Sequence, residues 1–152
     1  MELKASPFQP GSDIPAQFAC DGADISPALS WTAPPEGTQS FALIVEDPDA
    51  PRGTFVHWVL YDLPVNERNL PEDVPPQHRL ASGARQGRND FGKVGYGGPC
   101  PPAGPPHRYY FRLYALDTRL ELKAGAARAQ VDRAMRGHIL AQAELMARYR
   151  RH

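Results

Sequence analysis

The sequence predicts a mainly antiparallel β domain with one or two helices packed on it. Apolar runs with strand character are separated by turns, and the 17 prolines and 13 glycines fall between these runs rather than inside them. Because proline and glycine interrupt regular elements and favour turns, this distribution indicates short strands joined by tight connections. A helical pattern occurs only in the last third of the chain.

Three runs have the strongest strand character because aromatic and β-branched residues dominate them. They are residues 40–46, 54–62 and 107–117. Weaker predictions are strands at residues 17–20, 28–31 and 79–83. Long connections occupy residues 64–78 and 84–104. The second is Gly-rich, and a loop of this length is typical of a binding loop or a lid.

The C-terminal third combines two periodicities. In residues 124–136, Ala127, Val131 and Met135 recur at spacings of four, which predicts an amphipathic helix. In residues 141–149 apolar positions alternate with polar ones, which predicts a closing strand. A second helix is the alternative there, because Ala, Gln, Glu and Leu are good helix formers.

Length and charge narrow the class of protein. The 152 residues suit one domain, expected to span residues 1–152. Seventeen basic and seventeen acidic residues give a formal net charge of zero, which argues against nucleic acid as a partner. No apolar run has the length of a transmembrane helix, and the N-terminus lacks the apolar core of a signal peptide. We therefore expect a cytoplasmic protein without a transmembrane segment.

Two cysteines, Cys20 and Cys100, stand far apart in the sequence. They form no CxxC pair, so they do not indicate a zinc site. For a cytoplasmic protein the favoured interpretation is two free thiols. A disulfide between them stays open, because it depends on how the fold brings them together.

The most informative stretch is residues 41–63, in which a DPDAP turn joins two strand-like runs. The turn carries Asp47 and Asp49, and His57 lies inside the second run. If the two runs pair as a hairpin, Asp47 lies near His57, and an Asp–His contact would raise the pKa of His57 and create an anion site. The alternative is a stiff turn with two structural carboxylates.

A second group of polar residues begins the strand-like run at residue 107. His107, Arg108 and Tyr109 follow the Pro/Gly-rich residues 98–106. Backbone amides of such a loop can form a nest for an anion. Two imidazoles, nest amides and a Tyr hydroxyl would suit a phosphate or a carboxylate. A metal held by Asp47, His57 and His107 ranks lower, because their spacing matches no short metal motif.

The sequence does not favour an enzyme. It contains no GxSxG elbow, no P-loop and no GxGxxG loop, and neither cysteine has the context of a nucleophile. We assign no catalytic residues, no metal and no cofactor. The alternative is a weak hydrolase that uses an Asp47–His57 pair as general base.

These motifs together resemble the phosphatidylethanolamine-binding protein family, also called Raf kinase inhibitor-like proteins. The resemblance rests on DPDAP with FVHW and on GPCPP with HRYYFRLYALD, and CDGADISPALSW indicates the bacterial and archaeal branch. It covers about residues 18–149 and implies an antiparallel β-sandwich with a small anion pocket. Matching positions imply three groups of residues: the pocket of Asp47, His57, His107 and Tyr109, the rim of Gly98, Pro101 and Pro102, and the structural motif residues Asp49, Pro51 and Arg108.

The resemblance also carries functional expectations. The family binds phosphate-like and carboxylate groups, including phospholipid head groups, and its members modulate or inhibit kinases and serine proteases. The sequence ends soon after Tyr149 and does not show the long C-terminal extension of the animal members. We therefore expect a more open pocket, or one completed by a second subunit in a homodimer.

Overall fold

The structure is a computed structural model that describes residues 1–151, so the last position of the expected 1–152 domain lies outside the described residues. The described residues form eight strands, one 3-10 helix and one α-helix. The strands are β1 (Leu3–Ala5), β2 (Leu29–Trp31), β3 (Ser40–Asp47), β4 (Phe55–Pro64), β5 (Asn69–Leu70), β6 (Arg85–Gln86), β7 (His107–Leu116) and β8 (Ile139–Tyr149). The 3-10 helix is Ala16–Phe18 and the α-helix α1 is Arg128–Met135.

The strands form two antiparallel sheets, which confirms the predicted fold class. The smaller sheet has the order β1-β2-β5, and the larger has the order β6-β4-β3-β7-β8. Every strand pairing within the two sheets is antiparallel. None of the helices in the described chain is long and apolar enough to cross a membrane.

The larger sheet is buried on both faces. One face packs against the smaller sheet, where the rings of Trp31 and Phe41 lie 5.5 Å apart. The other face packs under α1, where Val131 and Met135 contact a cluster that contains Ile44. All eight residues of β3 are therefore buried. This explains why its sequence is a continuous apolar run rather than an alternating one.

Several predicted elements are confirmed. Strands appear within the ranges predicted at residues 28–31, 40–46, 54–62 and 107–117, with small differences at their ends. The C-terminal strand also forms, and the helix alternative for that segment is wrong. The predicted helix is shorter than expected: Gly125 has a positive φ of 84°, and the chain becomes helical only after Ala127.

Other predictions are wrong. Residues 17–20 do not form a strand, because the fully buried Phe18 anchors a 3-10 turn instead. Residues 79–83 form a turn closed by the hydrogen bond from the Leu80 amide to Ala84 O, and pairing with β4 begins later, in β6. The short strands β1 and β5 were not predicted. They hold few residues, and pairing to β2 rather than local propensity defines them.

One edge of the larger sheet is partly covered by the N-terminal segment. Gly11 and Ile14 donate backbone hydrogen bonds to the carbonyls of Met146 and Arg148, both at 2.7 Å, and the Arg148 amide donates to Ser12 O at 2.9 Å. These bonds pair residues 11–14 with the second half of β8. In the first half of the same strand, Ile139 and Leu140 are exposed.

A buried charge cluster joins the larger sheet to α1. Glu46, only 5% exposed, pairs with both Arg112 of β7 and Arg128 of α1. Arg112 also pairs with the exposed Glu144 of β8 at 3.0 Å. Glu46 is therefore the buried carboxylate that two arginines share where α1 packs on the larger sheet.

We expect Glu46→Ala to destabilise the fold by about 3 kcal/mol, because it leaves two partly buried guanidinium groups without their shared carboxylate. Urea unfolding measures this change. Glu144→Ala is the matched control, since it removes the exposed partner of the same Arg112 and should cost less than about 1 kcal/mol. Equal effects of the two substitutions would contradict this account.

Candidate functional site

Polar side chains from three adjacent strands meet at one end of the larger sheet. Asp47 ends β3, His57 lies near the start of β4, and His107 and Tyr109 begin β7. They line a cavity of about 390 Å³. The cavity wall is completed by Ala50, Pro51, Phe55, Phe91, Cys100, Pro101, Pro102 and Arg151.

Asp47 orients the His107 ring. Its Oδ2 lies 2.7 Å from His107 Nδ1, and its Oδ1 accepts the Asp49 amide at 2.7 Å. Asp47 is only 3% exposed, so both oxygens are committed within the protein. With Nδ1 bound to the carboxylate, Nε2 is the ring nitrogen of His107 that is left for a ligand.

His57 does not pair with Asp47 as the sequence suggested. The register changes from Val45↔Trp58 to Glu46↔Val56, so His57 is the extra residue of a β-bulge. Its Nδ1 lies 2.7 Å from the carbonyl of Gly97, which accepts the ring proton and leaves Nε2 as the free nitrogen.

The expected direction of the His57 pKa is also wrong. The rings of Phe55, Phe91 and Tyr109 surround the imidazole, with centroids 5.0 to 5.4 Å away. This burial lowers the pKa of His57 below its ordinary 6.5 and outweighs the opposing effects of the Gly97 carbonyl and the Asp47 charge. His57 is therefore a neutral group at pH 7, with Nε2 as a hydrogen-bond acceptor.

Tyr109 presents a buried hydroxyl to the site. Among the described residues this oxygen has no hydrogen-bond partner of normal geometry. Burial is the main cause that raises the pKa of Tyr109 far above its ordinary value, and the charge of Asp47 and a side-chain hydrogen-bond interaction with Asp47 raise it further. The hydroxyl is thus a protonated donor whose neighbouring acceptor, the Asp47 carboxylate, is not in normal hydrogen-bond geometry. A buried donor so poorly satisfied is costly unless a ligand or water supplies a better acceptor.

The loop at residues 84–104 is held firmly against the sheet. Asp90 exchanges two hydrogen bonds with Val56: its amide donates to Val56 O at 2.8 Å, and its carboxylate accepts the Val56 amide at 2.7 Å. Asn89 accepts the Phe91 amide at 2.9 Å and so fixes the backbone at the aromatic lip of the cavity. These contacts anchor the loop to the sheet, so it forms a fixed wall of the cavity rather than a lid.

Gly98 does not supply an amide to the cavity. Its N–H donates to Asp24 Oδ1 at 2.7 Å, and a Cβ at this position would lie 2.2 Å from Phe18 O. The glycine therefore permits close packing of two backbone segments. Pro101 and Pro102 do line the cavity, as the resemblance implied.

Cys20 and Cys100 form a disulfide, so the expectation of two free thiols is wrong. The bond joins residues 80 positions apart, a proximity that sequence spacing alone does not reveal. It ties the loop at residues 84–104, through Cys100 in the cavity wall, to the turn that follows the 3-10 helix. The Cys20 amide adds a hydrogen bond to Pro99 O at 3.0 Å.

Asp49 and Arg108 lie outside the cavity lining and form an ion pair at its rim. Asp49 Oδ2 accepts the Arg108 backbone amide and Nε, both at 2.9 Å, and Oδ1 accepts Nη2 at 2.8 Å. Hydrogen bonds from Arg108 lower the pKa of Asp49 to about 2. The pair fastens the DPDAP turn to the start of β7. Pro51 of the same turn lines the cavity.

Two alternatives for the site lack the geometry they require. Among residues 1–151, no group of three or more His, Cys, Asp or Glu side chains is arranged to hold a metal ion. The hydrolase alternative needed an Asp47–His57 pair, and the hydrogen-bonded pair is Asp47–His107.

Five residues of the cavity wall were not predicted: Ala50, Phe55, Phe91, Cys100 and Arg151. Phe55 begins the strand that carries His57, and Phe91 lies in the long Gly-rich loop, so their positions in the sequence weakly indicated that both lie near the cavity. Arg151 had none, because only the path of the chain after β8 brings it to the cavity.

The fold and the cavity define a two-sheet antiparallel β protein with a polar pocket at one end of its larger sheet. The chain belongs to the phosphatidylethanolamine-binding protein family, whose model matches residues 4–150. It is 52% identical to a UPF0098 protein of Aquifex aeolicus, covering 99% of this chain and 89% of that protein. It is 50% identical to a UPF0098 protein of Methanothermobacter thermautotrophicus, covering 99% of both chains.

Solved structures show the same fold. The putative phosphatidylethanolamine-binding protein homologue CT736 of Chlamydia trachomatis matches with a TM-score of 0.90 and 41% identity, over 99% of this chain and 97% of that one. YbcL of Escherichia coli, described as a new member of the mammalian family, matches with a TM-score of 0.91 and 34% identity, over 99% and 98%.

We expect His57 to make stability fall on mild acidification. Its folded-state pKa is lowered, so between that pKa and 6.5 the unfolded chain binds the proton more readily. The free energy of unfolding should fall as the pH drops below 6.5, with a contribution from His57 of at most about 1.4 kcal/mol per pH unit.

Urea unfolding between pH 5 and pH 7.5 measures this slope. His57→Asn keeps a donor for the Gly97 carbonyl and should show a smaller decrease than the wild type. His78→Asn, at an exposed histidine, is the control and should retain the wild-type slope. A wild-type slope in His57→Asn would show that His57 is not the titrating group.

Proposed function

We propose that this chain is a small-anion binding protein whose cavity holds a phosphate-bearing or carboxylate ligand, such as a phospholipid head group. One observation carries the proposal: the buried Tyr109 hydroxyl, which has no hydrogen bond of normal geometry among the described residues, and the Nε2 atoms of His57 and His107 belong to side chains that line one cavity. Protein polar groups that converge without satisfying one another are typical of a ligand site.

The hydrogen-bonding capacities suit a partly protonated phosphate. Tyr109 donates, and neutral His57 accepts at Nε2, so a phosphate that carries one O–H can satisfy both. His107 adds a ring nitrogen whose orientation Asp47 fixes. The negative charge of Asp47 is offset locally by its hydrogen bonds to His107 and to the Asp49 amide.

The rest of the cavity suits a ligand with an organic substituent. Phe55, Phe91, Pro101 and Pro102 give the wall a largely apolar surface. The volume of about 390 Å³ lies at the small end of the range for ligand pockets. We infer a phosphorylated head group or a comparably sized carboxylate rather than a long lipid chain.

We expect inorganic phosphate and O-phosphorylethanolamine to bind at pH 6.0, with affinity reduced about tenfold or more in His107→Ala and in Tyr109→Phe. Each substitution removes a hydrogen bond to a charged ligand. Isothermal titration calorimetry measures both. His138→Ala is the matched control, because His138 Nδ1 also lies 2.7 Å from an aspartate, Asp117, but outside the cavity. Wild-type affinity in both cavity variants would refute the proposal.

We also propose that the protein modulates a kinase- or serine-protease-type partner and that it acts as a homodimer. Membership of the family and the resemblance described above support this role. The Cys20–Cys100 disulfide argues against the cytoplasmic location expected from the sequence, because cytosolic disulfides are uncommon outside hyperthermophiles.

We expect the wild type to inhibit at least one member of a panel of serine proteases and kinases, because ligand-pocket residues at a protein surface can also bind a partner's side chains. Dose–response curves for the wild type, His107→Ala and His138→Ala measure this. Inhibition that is weakened only in His107→Ala would link the pocket to the partner. An absence of inhibition throughout the panel would refute this role for those enzyme classes.

A further inference from the structure

Arg151 reaches the cavity from the segment that follows β8. Arg151 lines the wall, and its Nη2 lies 3.3 Å from Cys100 Sγ and 3.6 Å from Cys20 Sγ. Within residues 1–151, Arg151 makes no salt bridge with a carboxylate. A guanidinium that stands at a cavity without a carboxylate partner retains the capacity to bind an anion.

The other charged and titratable groups of the cavity supply little fixed positive charge. His57 is neutral at pH 7, Tyr109 is protonated, and His107 is paired with the carboxylate of Asp47. The Asp49–Arg108 pair lies outside the lining. Among the described lining residues, Arg151 is therefore the one permanent cation.

The disulfide forms the surface on which the guanidinium rests. Both sulfur atoms lie within 3.6 Å of Nη2. Tyr149, two residues earlier, is 1% exposed, is paired in register with His107 and donates a hydrogen bond from its hydroxyl to Asp21. Asp21 neighbours Cys20 in sequence, so the end of β8 and the disulfide are fastened to the same turn.

We propose that Arg151 is the specificity-determining residue of the cavity, which selects anionic ligands by a charge-assisted hydrogen bond, and that the Cys20–Cys100 disulfide positions it. This inference rests on the proposed function, because it assigns the anion preference of that same cavity. A guanidinium presents paired N–H donors that match two oxygens of a phosphate or carboxylate. Loss of the disulfide would remove the support of the guanidinium and the covalent tie of Cys100 to the turn at Cys20, while the hydrogen bonds of the loop remain.

The test is phosphate binding by calorimetry at pH 8.0, above the ordinary titration range of imidazole, so that fixed charge dominates. We expect Arg151→Gln to weaken binding about tenfold or more. Arg151→Lys keeps the positive charge but not the paired N–H donors of the guanidinium, so it should weaken binding less. Arg150→Gln removes the same charge from the adjacent residue, which does not line this cavity, and should bind within about twofold of the wild type.

A separate measurement tests whether the disulfide positions Arg151. Dithiothreitol, an uncharged reductant, should weaken phosphate binding by the wild type several-fold once two thiols are titrated, and it should have little effect on Arg151→Gln. Near-UV circular dichroism checks that the reduced protein stays folded, and Cys20→Ser/Cys100→Ser provides the same comparison without a reductant. An equal loss in the wild type and in Arg151→Gln would overturn the positioning role.

The outcomes separate this inference from the proposed function. If the wild type binds phosphate and His107→Ala weakens that binding, but Arg151→Gln binds like the wild type at pH 8.0, the role of Arg151 is overturned and the proposed function stands. If the wild type binds no phosphate at pH 6.0 or 8.0, both are overturned. A loss specific to Arg151→Gln supports both.

Discussion

The complete burial of β3 is the constraint on which the rest of the structure depends. Its side chains are covered by the smaller sheet on one face and by α1 on the other, and β4 and β7 pair with its two edges. A charged residue in such a strand must be satisfied by its neighbours. Glu46 is therefore paired with arginines on one side, and Asp47 binds His107 on the other. The same burial that stabilises the sheet thus forces a polar cluster to form at its end.

The sequence predicted the large elements of the fold because their signals are local. Strand propensity located β3, β4 and β7, and the resemblance grouped Asp47, His57, His107 and Tyr109 at positions that do line one cavity. Features set by tertiary contacts were not predictable. No local sequence pattern predicts the bulge that turns His57 toward the Gly97 carbonyl. The two-residue strands β5 and β6 were not predictable either, because pairing with a neighbouring strand defines them. The disulfide and Arg151 reach the cavity from distant segments.

The electrostatics of the cavity differ from those of a cluster of protonated histidines. Aromatic packing keeps His57 neutral, and Asp47 is hydrogen-bonded to His107. The interior of the site is therefore defined by hydrogen-bond donors and acceptors of fixed orientation rather than by charged imidazolium groups. Preorganised dipoles of this kind lose little freedom when a ligand binds. Positive charge then comes from the periphery, where Arg151 rests on the disulfide. Under the proposed function, the cavity interior would recognise the shape and hydrogen-bonding groups of a ligand, and Arg151 at its wall would recognise its charge.

The N-terminal segment limits how much of the β8 edge is open to pairing with another molecule. By pairing with the second half of β8, residues 11–14 occupy backbone groups that an outer strand would otherwise offer to any extended polypeptide. The first half of β8, with Ile139 and Leu140 exposed, has no such cover from this segment. A strand from another molecule would therefore pair with the first half of β8, and its pairing would end where residues 11–14 cover the edge. The short N-terminal stretch acts as a built-in limit on how far this sheet can be extended by another molecule.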